Sequence, residues 1–256
     1  MSSKDSVVFN PDVDVTRSNH ASFLEGFRAV VESRRSVRRF TDTPIPDDVL
    51  GDCFSLAMRA PNSSNLQPWE FVLIESPATR LAAVEACMKQ NAAKTCDRLV
   101  AVVARTDTWQ QNAKDLLDTW PVQPVPSVVR TYYSKLIPAE FTLGPFGLIG
   151  QAKKLGVKAA RFLKGPLPKP STDERDVVLW ASVQAALAAE NFMLALKAHG
   201  FDSCPMGGFD PHAMHGLLGL GKGSHIVMMI AAGEKADDGI YHKQFRFAPE
   251  HFIRRV

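Results

Sequence analysis

The sequence predicts an α/β (α+β) domain in which a central mixed sheet is flanked by helices. Short β-branched runs alternate with segments of helical periodicity: "WEFVLIES" from Trp69, a helix from about Pro77 to Lys89, and "RLVAVVART" from Arg98. The chain has 256 residues and is 45% apolar, which is enough to bury one large core. We therefore expect a single domain over residues 1–256.

Two helices are predicted before the first strand. Residues 1–20 are polar and are expected to form an N-terminal arm, after which "HASFLEGFRAVVESRRS" has helical periodicity. A second helix is expected to begin with Asp47 as its N-cap and to end before Pro61. The apolar residues of these two helices recur every three or four positions: Phe23, Phe27, Val30 and Val31 in the first, and Val49, Leu50, Cys53, Phe54 and Ala57 in the second.

The middle of the chain, roughly residues 107–170, has a looser pattern. Prolines and aromatic residues interrupt the pattern at "WPVQPVPS" and "KGPLPKP". Such proline-rich stretches are typical of the breaks between short helices and not of a sheet. We expect helical excursions here that form a lid.

The strongest local prediction is a long helix over "STDERDVVLWASVQAALAAENFMLALKAHG". Ser171 and Glu174 have capping-box spacing, and Gly200 is the expected stop after about 26 helical residues. Because the helix is apolar nearly all round, we expect it in the core of a domain or a dimer. A further helix is predicted to begin at Asp210 and Pro211, followed by a last buried strand, "SHIVMMIAAGE".

Composition and cysteine usage exclude several function classes. A net charge of +3 does not favour nucleic acid as the partner, and cysteines at 53, 87, 96 and 204 have neither disulfide-scaffold nor zinc-site spacing. The N-terminus lacks the apolar stretch of a secretory peptide, and we expect no later run long enough to span a membrane. We therefore expect a cytoplasmic protein with no membrane partner.

Several near-motifs do not meet the requirements of their chemistry. "GLLGLGKGS" from Gly216 follows a helix instead of a strand and has Gly223 where a phosphate loop needs Ser or Thr. His212 and His215 are one helical turn apart but lack a third ligand, so we expect no metal. No G-x-S-x-G elbow supports a hydrolase, which stays a weak alternative.

"ESRRSVRRF", residues 32–40, places four arginines within nine positions. Such a cluster is either a solvated surface or a built site for an anion, and forked guanidinium donors suit a phosphate best. Three further stretches accompany it in order: "APNSSNLQPWEF" from Ala60, "NAAKTCDRLVAVV" from Asn91 and "CPMGGFD" from Cys204. Together the four stretches resemble the FMN-dependent nitroreductase family over nearly the whole chain.

The resemblance implies a three-layer fold with the long helix in the core or dimer interface, and an arginine site for the FMN phosphate. Arg34 and Arg246 would bind the phosphate, Ser36 would add a hydroxyl donor, and Arg35 would lie along the phosphate and ribityl chain. Arg38 would lie near flavin N1 and O2, where its charge favours the reduced cofactor. For Arg39 a solvated surface position is the better expectation.

The same resemblance implies three further contact groups. Asn91 and Lys94 would reach the pyrimidine edge of the flavin, and either Lys243 or Gln244 would be a second C-terminal basic or polar contact. A backbone amide of the segment Pro205, Met206, Gly207 and Gly208 would point at N5. A loop of the second subunit would supply Pro61, Asn62, Ser63, Asn65 and Gln67. This chain has Asn62 where the family often has Ser, and Gly207 where some relatives have an acidic residue.

The implied function is an NAD(P)H-dependent FMN oxidoreductase, acting as a homodimer with FMN at the subunit interface. NADH or NADPH would reduce FMN and leave before an electron-poor acceptor, such as a nitroaromatic or a quinone, takes the electrons. No side chain need be an essential catalytic group. Aromatic residues of the lid could stack on acceptors or simply pack: Trp109, Trp120, Tyr132, Tyr133 and Phe146.

Three alternatives remain open. The chain could be an FMN-binding or storage module without reductase turnover, or a dehalogenase or dehydrogenase variant on the same flavin platform. It could also be a basic interaction protein with no cofactor.

Overall fold

The structure is a computed structural model that describes residues 15–16, 19–167 and 170–256. Nearly all of the expected arm over residues 1–20 lies outside the described residues. The first half of the chain contains α1 (His20–Ser33), α2 (Asp47–Ala57), β1 (Trp69–Leu73), α3 (Pro77–Ala86), α4 (Asn91–Thr95) and β2 (Arg98–Arg105). The second half contains α5 (Trp109–Asp118), α6 (Ser127–Thr131), α7 (Ile137–Phe141), α8 (Leu148–Lys164), α9 (Glu174–Ala198), β3 (Asp202–Met206), α10 (Pro211–Leu217) and β4 (Ser224–Gly233).

The four strands form one antiparallel sheet in the order β1-β2-β4-β3. Trp69 pairs with Ala104 in the first pair of strands, and Cys204 pairs with Ala231 in the last. The parallel part of the predicted mixed sheet is a single bridge between Ser36 and Ser203. β3 was not predicted, because Pro205 argues against a strand, yet proline is compatible with the sheet edge that β3 occupies.

Helices cover both faces of the sheet, so the predicted fold class and its three layers are confirmed. Alternate residues of β2 lie on opposite sides, because side chains along a strand alternate between the two faces. Val100 and Val102 belong to the core cluster that contains Phe192 of α9, whereas Leu99 and Val103 belong to the cluster packed against α3, α4 and α10. This double burial explains why β2 is a nearly continuous apolar run.

The long helix α9 forms the centre of one layer. Its buried side is rich in alanine, which lets α2 and the sheet approach closely, and Phe192 stacks on Phe54 with ring centroids 4.8 Å apart. The opposite side carries Leu179, Val183 and Leu187, four residues apart and exposed in this chain. Burial is therefore one-sided in the single chain: α9 lies in the domain core through its alanine-rich side, and its place in a dimer core stays a prediction.

The expectation that no run of residues is long enough to span a membrane is corrected by α9. Among the described residues, Glu174–Ala198 is the helix long and apolar enough to cross a membrane, with mean hydropathy 1.4. Its alanine-rich side and Phe192 belong to the protein core, so we interpret it as a core helix.

Two predicted helix caps are wrong. The N-cap of α9 is Asp173, whose carboxylate accepts from the Asp176 amide at 3.0 Å, so Ser171 and Glu174 do not form a capping box. Asp47 is the first residue of α2, whose N-cap is Pro46. The predicted cap of α10 is confirmed, since Asp210 accepts from the amides of His212 and Ala213.

The regular secondary structure within residues 107–167 is helical, as predicted. α5, α7 and a π-helical turn over Tyr132–Leu136 enclose a separate small core that includes Trp109, Tyr133 and Phe141. Its function as a lid stays a prediction.

Candidate functional site

The arginine cluster lies on an extended segment that leaves the C-terminal end of α1. The Val37 amide donates to the Ser203 carbonyl at 3.1 Å, and the Arg38 amide donates to the Gly239 carbonyl at 2.7 Å. Val37 and Phe40 are buried in the core, which directs the arginines between and beside them to the protein surface. The segment is thereby held between β3 and the loop that follows β4.

The structure brings the predicted phosphate contacts together. A cavity of about 410 Å³ is lined on one side by the arginine segment and on the other by the C-terminal segment after β4. Arg35 donates through Nη2 to the His242 carbonyl and so joins the two walls. The lining residues are Arg34, Arg35, Ser36, Arg38, Ile240, Tyr241, His242, Lys243, Gln244, Phe245 and Arg246.

Arg34 is the distinctive residue of this cavity. Its Nη1 is buried and has no hydrogen-bond partner among the described residues, and the nearby Ser203 hydroxyl is in the same condition. A buried N–H donor without a partner costs about 1 to 3 kcal/mol, so such donors are uncommon in native structures. Arg34 therefore has a donor in this cavity that is free to donate to a further partner.

Arg39 behaves differently from its neighbours in the cluster. Its guanidinium pairs with Asp238 at 2.5 Å, and both side chains are about half exposed or more. This pair closes the loop after β4 against the arginine segment. The expected solvent-facing position of Arg39 is therefore observed.

The segment after β3 lies beside the arginines. Burial raises the pKa of the Cys204 thiol, while the nearby charges of Arg38 and Arg34 lower it, which places both guanidinium groups within electrostatic reach of β3. Gly207 is exposed, and a Cβ at that position would meet nothing within 4 Å. The backbone at 207–208 is thus open to a ligand.

The start of α4 connects these two groups. Asn91 donates from Nδ2 to the Tyr241 hydroxyl at 3.2 Å, and Gln90 donates from Nε2 to the Gly208 carbonyl at 2.6 Å. Lys94 is exposed in the last turn of α4. Gln90 and Tyr241 could not be predicted from the sequence. Neither residue lies in a segment with a periodic pattern or in one of the four stretches that resemble the family.

The predicted loop residues 61–67 form a second, separate group. The Ser63 amide donates to Gln184 Oε1 of α9 at 2.9 Å, and the Ser64 hydroxyl lies 2.7 Å from the Tyr132 hydroxyl. Within the loop, Asn62 Oδ1 accepts from the Gln67 amide at 2.8 Å. The loop therefore packs against α9 and the lid, and the structure of one chain does not join it to the arginine cavity.

Trp69, at the end of this loop, packs in the core, with its indole nitrogen 3.2 Å from Met58 Sδ. The loop backbone is left-handed at three non-glycine residues: Ser64 with φ 60°, Asn65 with φ 51° and Gln67 with φ 46°. Such conformations cost about 1 kcal/mol or more each and persist where surrounding contacts hold them.

The lid aromatics divide into packed and exposed residues. Trp109 and Tyr133 are buried, with Trp109 5.6 Å from Phe141 and Tyr133 6.3 Å from Trp120, centroid to centroid. The rings of Trp109 and Tyr133 already pack against other aromatic rings of the lid. This favours a packing role for these two residues over stacking on an acceptor. Phe146, by contrast, is 97% exposed.

The cysteine thiols do not line this cavity. All four cysteines are free and buried, and burial raises the pKa of Cys53 and of Cys87 to about 11, so these thiols stay protonated at neutral pH. His215 contacts the Gly221 carbonyl at 3.2 Å. Within the described part of the chain no three metal-ligating side chains come together.

Comparison with known proteins gives a consistent result. The Nitroreductase family matches residues 31–234. A Thermus thermophilus protein with the name NADH dehydrogenase is 29% identical over 206 residues, which cover 80% of this chain and 85% of that relative.

Solved structures share the fold. The ydfN protein of Bacillus subtilis has a TM-score of 0.71 at 22% identity, covering 91% of this chain and 100% of that one. A structure from Exiguobacterium sibiricum, solved in complex with FMN, has a TM-score of 0.63 at 19% identity, covering 90% of this chain and 97% of that one.

Proposed function

Because the chain belongs to the nitroreductase family, we propose that it binds FMN and passes electrons from NADH or NADPH to an electron-poor organic acceptor. It is an NAD(P)H-dependent oxidoreductase. The observation that carries the FMN proposal is the buried, unpartnered Nη1 of Arg34 in a cavity walled by further cations. The relative solved with FMN supports the choice of this anion.

The residues present fit a phosphate monoester. Arg34 offers a preformed donor that is already desolvated, Ser36 offers a hydroxyl, and Arg35, Lys243 and Arg246 surround the cavity with positive charge. Hydrogen bonds between guanidinium and phosphate are charge-assisted on both sides and are worth roughly 1.5 to 3 kcal/mol each. The grip on the phosphate would therefore provide much of the affinity for FMN.

FMN, when bound, supplies a ring that accepts a hydride and returns the electrons to an acceptor. The protein's own contribution is to bind, orient and supply an electrostatic field. Arg38, exposed beside β3, would stabilise negative charge on the ring edge, and the open backbone at Gly207–Gly208 would allow close approach. Asn91 and Lys94 would contact the pyrimidine edge. We propose no side chain as a catalytic acid, base or nucleophile.

The loop residues Pro61, Asn62, Ser63, Asn65 and Gln67 enter this proposal through a homodimer. Two apolar faces support such a dimer: Phe23 and Phe27 of α1, and Leu179 and Val183 of α9, all exposed although α1 and α9 lie against each other. Contiguous exposed apolar surface of this kind commonly marks a protein interface. We propose that a second copy covers this surface and contributes its loop to this chain's cavity. The four buried thiols suit the cytoplasm, which we propose as the location.

Substrate turnover separates the reductase from an FMN-storage protein. The purified full chain should be yellow, should oxidise NADH or NADPH, and should do so several-fold faster when a quinone or nitroaromatic is added, with parallel lines in double-reciprocal plots for a ping-pong cycle. Yellow protein that oxidises neither nicotinamide with any acceptor would favour the storage module. Faster turnover with a halogenated acceptor would instead favour the dehalogenase variant, and reduction of bound FMN by a saturated substrate without any nicotinamide would favour the dehydrogenase variant.

A further inference from the structure

Helix α8 has an apolar face that points away from the protein. On a helix of 3.6 residues per turn, the positions from Phe162 round to Ile149 fill an arc of about 140° in which every residue is apolar or glycine. The large members of this arc are well exposed, with Phe162 90%, Leu163 77% and Leu155 71% accessible. We call the exposed residues Leu148, Ile149, Leu155, Phe162 and Leu163 the outer face.

The orientation of α8 is determined by contacts on its opposite side. The Gly150 amide donates to the Leu143 carbonyl at 3.1 Å, and a Cβ at Gly150 would lie 2.1 Å from the Thr172 carbonyl oxygen, so this side lies tightly on the body of the protein. Lys153 donates from Nζ to the Glu140 carbonyl at 3.0 Å on the same side. The outer face is therefore presented outward by packing and does not belong to the core of this chain.

Positive charge flanks the outer face without any compensating acid. Lys154, Lys158 and Arg161 are exposed on the flank of the helix beyond Phe162, about 40° to 100° from that end of the arc, and the sequence from Phe141 to Thr172 contains no aspartate or glutamate. Within the described part of the chain, no carboxylate lies within ion-pair distance of these three residues. Phe146, 97% exposed just before the helix, extends the apolar surface.

We propose that α8 docks the protein on an anionic lipid bilayer. An amphipathic helix lies in the bilayer interface when its apolar face can enter the acyl boundary while lysines and arginines beside it meet anionic headgroups. The segregated apolar arc and the uncompensated cations on the flank beside it meet both requirements. A second copy of this chain is a poorer occupant of this face, because two such basic flanks brought together would repel each other.

In this proposal α8 lies at the surface of the bilayer and does not span the membrane. It replaces the sequence-based expectation that the protein has no membrane partner. It is also independent of the FMN proposal, because α8 contributes no residue to the arginine cavity.

Flotation of the full-length, FMN-loaded protein with vesicles tests the proposal. The protein should float with vesicles of phosphatidylcholine containing about 30% phosphatidylglycerol and should remain at the bottom with phosphatidylcholine alone, and binding should weaken as salt screens the charges. The double variant Leu155→Gln/Phe162→Gln and the charge variant Lys154→Glu/Lys158→Glu should each lower the partition coefficient at least tenfold.

Matched controls distinguish this face from general stickiness. Leu81→Gln removes an exposed leucine from α3, and Arg130→Glu/Lys135→Glu makes the same change in net charge on exposed residues of the neighbouring lid helices. Both should bind vesicles as the unaltered protein does, and FMN content should be equal in all variants.

Three results would overturn the proposal: no flotation with anionic vesicles, an equal loss of flotation in the control variants, or unchanged flotation of Leu155→Gln/Phe162→Gln. Light scattering provides an independent readout. If Leu155→Gln/Phe162→Gln lowers the number of subunits in solution, the outer face is an interface between copies and the lipid proposal is wrong.

Discussion

The arginine cavity and the loop over residues 61–67 are both polar, but they use their polar groups in opposite ways. In the cavity, Arg34 keeps a buried donor without a partner among the described residues. In the loop, Asn62 accepts from the Gln67 amide, and Ser63 donates to Gln184. The loop's polar groups hold its own left-handed backbone, whereas Nη1 of Arg34 in the cavity has no such use among the described residues. Polar sequence motifs of similar appearance can therefore encode either a binding site or a self-supporting shape.

The largest expected effect is on FMN affinity in Arg34→Met. The variant keeps an unbranched apolar stem but loses the guanidinium and its buried donor, so FMN affinity should fall on the order of a hundredfold, equivalent to about 3 kcal/mol. Because it also removes a buried donor that has no partner among the described residues, the FMN-free variant should be at least as stable to urea as the unaltered protein.

Arg39→Met is the matched control for Arg34→Met. Arg39 belongs to the same stretch of sequence but pairs with Asp238 at the surface, where ion pairs contribute about 0 to 1 kcal/mol. Its FMN affinity should change by less than about threefold. If both variants lost FMN equally, the cluster would act only as diffuse positive charge.

The opposite pattern is expected in the loop. Asn62→Ala removes the acceptor for the Gln67 amide and the donor to the Ala60 carbonyl, so the free energy of unfolding should fall by about 1 to 2 kcal/mol in urea titrations. The loss of stability should be present without FMN. A variant that lost FMN affinity with no loss of stability would show that Asn62 serves the ligand and not the loop.

A smaller effect is expected where α4 joins the cavity. Tyr241→Phe removes the hydroxyl that accepts from Asn91, an exposed contact at 3.2 Å worth about 0.5 to 1 kcal/mol. FMN affinity should fall about threefold through looser positioning of the C-terminal wall. Fluorescence titration of FMN measures this change. An effect as large as that of Arg34→Met would show that the C-terminal segment, and not Arg34, contributes most of the FMN affinity.

The smallest effect is expected at Cys204. The thiol is buried under the arginines, burial raises its pKa, and it takes no part in the proposed chemistry. Cys204→Ala should leave FMN affinity and turnover within about twofold of the unaltered protein. Thiol titration of the native chain at neutral pH should likewise find few or none of the four cysteines reactive, and a rapidly reacting Cys204 would contradict this account.

The elements that could be predicted from sequence are those with strong local periodicity. α9, β2 and β4 were predicted because their apolar patterns are long, and Asp210 was predicted as a cap because the proline after it suits a first turn. β3 was missed because its pairing with β4 is a long-range contact that outweighs the poor strand propensity of Pro205. At α9, Ser171 and Asp173 were both able to cap, and only the fold decides between them.

The candidate site could be predicted only as far as the motif resemblance extends. Arg34, Ser36, Arg38 and Arg246 line one cavity as expected, whereas Tyr241 lies in an aperiodic segment and is brought to Asn91 by tertiary structure. The partner-dependent role of residues 61–67 stays a prediction, because it needs the second subunit. The outward apolar face of α8 is visible in the sequence as a pattern, but only the packing of Gly150 determines which side faces outward.

Calorimetric titration of the FMN-free protein with FMN and with riboflavin tests the central claim most directly, because the two ligands share a ring and differ by the phosphate. The unaltered protein should bind FMN at least a hundredfold more tightly than riboflavin, and Arg34→Met should lose most of that difference while its riboflavin affinity stays nearly constant. Equal affinity for the two ligands in the unaltered protein, or an equal loss for both in Arg34→Met, would contradict a phosphate site at Arg34.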